Sequence, residues 1–181
     1  MQWKSIARVA VVAVFSVVAV AAHAGGHHVL LTLSKDNLYD TAKEVGSFDT
    51  LVAAIDAADM VDTFRQEGPF TIWAPTDEAF AALPKGTLEA LLKPENKSKL
   101  QALLKYHVVI GRINSQMVIA WTADGGSAAT LEGSKISVSS ADRQITINDA
   151  HVLKTDVQAR NGIIHVIDAV LVPTGLGPLG D

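Results

Sequence analysis

Six histidines, nineteen carboxylates and no cysteine make up the ionisable repertoire that this 181-residue chain could turn to chemistry. Without thiols there is neither a disulfide framework nor thiolate chemistry, so imidazoles and carboxylates come first. Gly25-Gly26-His27-His28 is the pattern with the most specific geometry. If the chain is cut after Ala24, a free α-amine, two deprotonated backbone amides and the His27 imidazole supply four nitrogens in a square plane. That donor set suits Cu(II) or Ni(II), and glycine at positions 25 and 26 puts no side chain in the way. The alternative is a mobile N-terminal tail whose histidines bind nothing.

Other groupings are less specific. Asp56, Asp59 and Asp62 recur at spacing three, but no further ligands converge on them from this segment, so they read as a solvated helix edge. His107 and His165 stand among apolar neighbours, where a neutral imidazole with a satisfied hydrogen bond is expected. Asp168 follows His165 by three positions; on a strand the two point to opposite faces and cannot pair directly. The sequence contains no G-x-S-x-G, H-E-x-x-H or P-loop motif. Gly175 to Gly180 spells G-x-G-x-x-G, but only Asp181 follows, so no helix can present its N-terminus to a pyrophosphate. Asn96-Lys97-Ser98 matches a glycosylation sequon. No constellation for turnover emerges, and the expectation is a protein that is not an enzyme.

Composition narrows the class further. Lys4 and Arg8 precede an apolar run from Val9 to Ala22 broken only by Ser16, and Ala22-His23-Ala24 is a small-x-small cleavage pattern. Residues 1–24 therefore read as a secretory signal peptide, too short in its apolar part to span a bilayer comfortably; kept uncleaved, it would tether the chain. Its removal leaves 157 residues with 13 basic against 19 acidic side chains, a net charge of about −6. So acidic a chain argues against nucleic acid as a partner. At this length one domain can bury roughly 70% of its unfolded surface without covalent staples.

The elements that must position these groups follow from periodicity. Residues 25–36 are a flexible lead-in. Helical pattern begins at Asn37, and Phe48, Leu51, Val52 and Ile55 share one helix face, with Ser47 a plausible N-cap. Gly68-Pro69 stops that element, and Phe70 to Ala74 reads as a strand ended by Pro75. Thr76 is expected to cap a short helix carrying Asp77 and Glu78 in its first turn. Thr87 is expected to cap another, with Leu88, Leu91 and Leu92 inward. A leucine helix then runs to His107 before Val108–Ile110 turns strand-like. After Gly111 short β segments dominate: 128–131, 135–139, 144–148, 151–155 and 163–172. Asn161-Gly162 suits a tight hairpin turn because both residues tolerate positive φ, and the run from Ile163 should be a central strand buried on both faces. Residues 175–181 form a flexible tail. Helices followed by antiparallel strands make an α+β domain.

Three segments carry a family resemblance. Thr71-Ile72-Trp73-Ala74-Pro75-Thr76-Asp77-Glu78-Ala79-Phe80 is one, Tyr106-His107 the second, and Asn161-Gly162-Ile163-Ile164-His165-Val166-Ile167-Asp168 through Pro173 the third. Together, in this order and spacing, they resemble a fasciclin domain over residues 37–174, with Trp73 where phenylalanine is usual and Asp77 where asparagine is common. The resemblance implies an antiparallel β-wedge of about seven strands flanked by several short helices, in exported proteins that mediate adhesion. It also implies that Asp156-Val157, matching an Asp-Ile pair linked to receptor recognition, and Tyr106-His107 contact a partner. Asp156 could equally cap or be solvated, with Val157 turned inward.

The expectation is thus a secreted or periplasmic protein without cofactor, binding a cell-surface or matrix protein or a polysaccharide. The second reading is a periplasmic Cu(II)- or Ni(II)-binding or envelope-stress protein acting through Gly25, Gly26 and His27. Exported protein whose mass confirms cleavage after Ala24 should bind one Cu(II) with a visible d–d band, and His27→Ala should abolish it. A band that survives the substitution discards the site.

Overall fold

Seven strands join in one sheet, in the order β2-β1-β7-β6-β5-β4-β3. The computed structural model describes residues 35–122, 125–141 and 144–176. The leader, the Gly25-Gly26-His27 motif, most of the lead-in and most of the C-terminal tail lie outside those residues. The strands are β1 (Phe70–Pro75), β2 (Val108–Ile110), β3 (Ser127–Ala129), β4 (Lys135–Ala141), β5 (Gln144–Ile147), β6 (Ala150–Ala159) and β7 (Gly162–Ile167). Around them lie α1 (Leu38–Val45), α2 (Asp49–Ala57), α3 (Val61–Arg65), α4 (Asp77–Ala81), α5 (Thr87–Leu91), α6 (Lys97–Tyr106) and α7 (Ser115–Thr122). A bridge between Val109 and Thr130, with Leu131 N donating to Val108 O at 2.7 Å, links β2 to the end of β3. The sheet therefore curls almost into a barrel.

The α+β class and the seven strands agree with the sequence reading. One pairing does not fit a wholly antiparallel wedge: β1 and β7 run parallel, with Trp73 opposite His165 and Pro75 opposite Ile167. The α-rich segment between Pro75 and His107 and the β-rich segment after Gly111 meet in this pair, and a connection of that length permits parallel entry. Strand β7 lies between β1 and β6 and is buried along its whole length, but it ends at Ile167 rather than at residue 172. Helix α7 has no counterpart in the sequence periodicity; its residues, Ser-Gln-Met-Val-Ile-Ala-Trp-Thr, bury only Val118 and so show no helical apolar stripe.

Alternation along the central strands builds two cores. Ile72 and Ala74 of β1 and Ile164 and Val166 of β7 join α1, α2 and α6 in one cluster. Trp73 and Ile167 face the other way and pack with Ile136, Val138, Ile145 and Ile147 from β4 and β5. Lys135, Ser137 and Ser139 alternate outward, giving β4 the wet face that its pattern predicts.

Caps differ in instructive ways. Thr76 does cap α4, accepting from Ala79 N at 3.3 Å. Ser47 does not cap α2. Its first amides are held by Asp77, whose carboxylate accepts from Thr50 N at 2.7 Å and Asp49 N at 3.3 Å. Thr87 does not cap α5 either: it is the first helical residue, and Gly86 in left-handed conformation (φ 85°) precedes it. Leu91 points inward there, whereas Leu92 is exposed.

The Asn161-Gly162 turn is built otherwise than expected. Neither residue has positive φ. Asn161 is buried, its Oδ1 accepting from Leu38 N (2.8 Å) and its Nδ2 donating to Phe64 O (2.9 Å) and Gln66 O (2.6 Å). Its own carbonyl accepts from Phe70 N at 3.1 Å. One amide side chain thus satisfies the start of α1 and the end of α3, groups that helices leave without intrahelical partners. Glycine is required at 162 by crowding: a Cβ there would lie 2.2 Å from Phe70 O. Asn161→Ala should lower the free energy of unfolding by about 3 kcal/mol, because three buried backbone groups lose their partner, as read from urea unfolding.

Candidate functional site

The sequence-selected residues lie mainly on β1 and β7 and at the end of α6, with Asp156 and Val157 on the neighbouring β6. Trp73 of β1 and His165 of β7 are paired by register, so their side chains leave the same face and stack, with ring centroids 4.8 Å apart and planes 24° from parallel. Trp73 N donates to His107 O at 2.9 Å, which ties this pair to the end of α6. Tyr106 and His107 are both buried. The Tyr106 hydroxyl donates to Lys135 O (3.2 Å) and accepts from Asn148 Nδ2 (3.1 Å). Pro75-Thr76 makes the corner after β1, Thr76 N donating to Ile167 O (3.2 Å), and Phe80 enters the first core.

Each buried histidine uses both ring nitrogens on the backbone. His107 Nδ1 donates to Leu103 O at 2.8 Å, and its Nε2 accepts from Leu171 N at 2.9 Å. His165 Nε2 donates to Ile113 O at 2.8 Å, and its Nδ1 accepts from Asp156 N at 3.3 Å. Partners of opposite kind fix one neutral tautomer in each ring. A second ring proton would face an N–H donor in both cases. Burial pushes the His107 imidazole from 6.5 down to about 4, although the Leu103 carbonyl pulls the other way. Burial lowers His165 as well, against the Ile113 carbonyl and the Asp156 charge.

Asp156 sits at an irregularity in β6, within the register shift between Lys154 and Val157, and has a left-handed backbone, φ 61°. Aspartate is among the few residues that tolerate this conformation. Its carboxylate accepts from Ser115 N at 2.9 Å and from the Ser115 hydroxyl, which seats the first turn of α7. Val157 is half-buried against the first core. Asp168 accepts from His151 N at 2.7 Å and extends the β6–β7 ladder past the end of β7; it does not pair with His165.

Thr71 completes the bracing of this region. Its buried hydroxyl donates to Gly111 O (2.7 Å) and accepts from Ile113 N (2.9 Å), fixing the loop whose Ile113 carbonyl meets His165. Neither this role nor the reach of Asp77 to α2 carries a local sequence signal, because the partners lie 42 and 27 positions away. Asp77 is held below the usual carboxylate range: burial opposes ionisation, but hydrogen bonds from Thr50 and Asp49 outweigh it. Of the carboxylate trio, Asp56 accepts from the Tyr39 hydroxyl (2.6 Å) and Asp59 pairs with Lys97, so the two diverge. Among the described residues no group of three or more histidines and carboxylates is placed to hold a metal ion, and no helix is long and apolar enough to cross a membrane.

Comparison with known proteins agrees with this arrangement. The family model of the fasciclin domain matches residues 46–173. The chain is 50% identical over 127 residues to Protein sll1483 of Synechocystis sp., covering 70% of this chain and 68% of that one. It is 36% identical over 154 residues to transforming growth factor-beta-induced protein ig-h3 of Sus scrofa, covering 82% of this chain but only 21% of that protein. In three dimensions it is similar to a FAS1 domain pair from the insect cell adhesion molecule Fasciclin I, with a TM-score of 0.71 at 18% identity, over 79% of this chain and 53% of that one.

The tautomer lock has a pH consequence. As pH falls, the unfolded chain takes up its histidine protons near 6.5 while folded His107 stays neutral until about 4. The histidine contribution is therefore complete above pH 6.5 and is lost between 6.5 and 4. For His107 that amounts to about 3 kcal/mol, and His165 acts in the same direction. Urea unfolding at pH 7 and pH 5 should show the loss. His107→Gln should be less stable at pH 7 yet lose less between the two; a profile as steep as wild type would refute the assignment.

Proposed function

Because the chain belongs to the fasciclin domain family, whose members are generally non-enzymatic adhesion-type proteins, we propose that it is an exported adhesive module. Its partner is a cell-surface or matrix protein or an envelope polysaccharide, met in the periplasm or extracellular space after residues 1–24 direct export. The observation that carries this reading is the state of the ionisable groups at the centre of the family motifs. His107 and His165 are each bound through both ring nitrogens to backbone. Imidazoles held in this way brace a surface and have no free nitrogen with which to exchange protons with a substrate.

In this reading Tyr106, His107 and Asp156 serve recognition by holding the outer elements in place. Tyr106 and His107 are buried, and the Asp156 carboxylate is engaged with Ser115. The partner meets the surface that they shape, including α7, whose Met117 and Ile119 are exposed. Asp156 of the matching pair therefore acts as a positioning element for α7, while Val157 packs against the first core.

A solid-phase assay of the purified exported chain against cells, matrix proteins and envelope polysaccharides tests the proposal. Saturable binding to at least one surface is expected. Asp156→Ala loses a cap and a residue suited to left-handed backbone, so it should lower stability by about 1–2 kcal/mol and weaken adhesion. Asp156→Asn, which tolerates the same backbone, should retain more of both. A folded wild-type chain that binds none of these surfaces would refute the adhesive reading.

A further inference from the structure

A crevice of about 380 Å³ opens where β1 begins, lined by Glu67, Gly68, Pro69, Arg112, Arg160 and Asn161. Its floor is backbone that cannot shift easily. Gly68 lies so close to Asn161 that a Cβ would meet the Asn161 carbonyl at 2.1 Å, and the Asn161 side chain is tied to α1 and α3. Gly111 N donates to Pro69 O at 2.9 Å, which holds the loop leading to Arg112 against the same floor.

The charge here is unusual for this chain. Arg112 Nη2 donates to Gln158 Oε1 (2.7 Å) and Ala159 O (3.1 Å). Both acceptors are neutral, so the guanidinium is oriented but not neutralised. Arg160 is exposed, and the salt bridges among the described residues, Arg65–Asp40 and Lys97–Asp59, involve neither arginine. Two arginines and one carboxylate, Glu67, therefore line the same small concavity. An oriented guanidinium with free N–H groups is suited to bidentate recognition of a carboxylate. The protein as a whole is acidic, so long-range attraction does not draw anions to the surface, and recognition must be local.

Glu67 selects among anions. A bare phosphate or sulfate would be repelled by it, whereas a ligand bearing both a carboxylate and hydroxyls would place the hydroxyls as donors to Glu67 and the carboxylate on the arginines. The volume is at the lower end of the ~300–1,000 Å³ typical of small-molecule sites. The lining offers polar groups and backbone edges, with Pro69 the sole apolar side chain, so a large hydrophobic peptide anchor finds no pocket. From this combination we infer that the crevice binds the uronic acid units of an acidic polysaccharide. This rests on the adhesive reading above and names the chemistry of its partner.

Calorimetric titration of the purified exported chain with a galacturonic acid oligomer tests it, with inorganic phosphate and a neutral glucan oligomer as comparisons. Saturable uronate binding that weakens with added salt is expected, with no heat from the glucan. Arg160→Gln should reduce affinity at least tenfold with an unchanged thermal midpoint, because that side chain is exposed. Arg112→Gln should also weaken uronate binding but lower the thermal midpoint as well, because it gives up the bonds to Gln158 and Ala159, and Glu67→Gln should weaken uronate while strengthening phosphate. Unchanged affinity in Arg160→Gln, or phosphate displacing the oligomer at equal concentration, overturns the assignment. A chain that adheres to surfaces but ignores the oligomer removes the crevice and leaves adhesion standing; one that binds the oligomer but no surface does the reverse.

Discussion

The buried amide of Asn161 is the constraint on which the arrangement of strands and helices depends. Helix ends that meet a sheet bring unpaired N–H and C=O groups into the interior, where each unsatisfied group costs on the order of 1–3 kcal/mol. Asn161 answers the N-terminal amide of α1 and the last carbonyls of α3 with one side chain, while its carbonyl starts the β1–β7 region. Gly162 and Gly68 permit this because their missing side chains let two backbones approach to distances that any Cβ would forbid. The same contact fixes the parallel register in which Trp73 faces His165.

From that register the polar interior follows. His165, Trp73 and His107 form a continuous series through ring stacking and a backbone hydrogen bond. Each imidazole joins elements far apart in sequence: α6 to the segment after β7, and the loop before α7 to the irregular part of β6. A side chain able to donate at one nitrogen and accept at the other is well matched to such junctions, where one carbonyl and one amide both need partners. The indole of Trp73 is less well provided. Its Nε1 is the one buried side-chain polar atom among the described residues without a hydrogen-bond partner, and its stacking and burial must outweigh that cost.

Much of this was legible in the residues. Phe48, Leu51, Val52 and Ile55 repeat with helical spacing and are all buried. Ile136, Val138, Ile145 and Ile147 alternate and all line one face. Thr76 caps where it stands because the amide it serves is three residues away. The misreadings share a cause, which is that the partner is remote. Ser47 looked like the cap of α2, but Asp77 arrives from another corner of the chain. Asn161-Gly162 looked like a positive-φ turn, although what it supplies is an amide and a vacancy for a neighbouring backbone. Helix α7 leaves no periodic signal because its apolar residues do not form a stripe: five of them stand in a row and only Val118 is buried.

The sequence alone determined the family, the α+β class, the two faces of each strand and the absence of thiol chemistry, since all of these depend on residue types and short-range periodicity. Tertiary structure decided what the singled-out polar residues do. It put Tyr106 and His107 inside, gave the Asp156 carboxylate to Ser115, and brought Arg112 and Arg160 to the lining of one crevice. Hydrogen-bond partners and uncompensated charges are properties of positions in space, and residues separated by tens of positions reveal them only once the chain has brought them within about 3 Å.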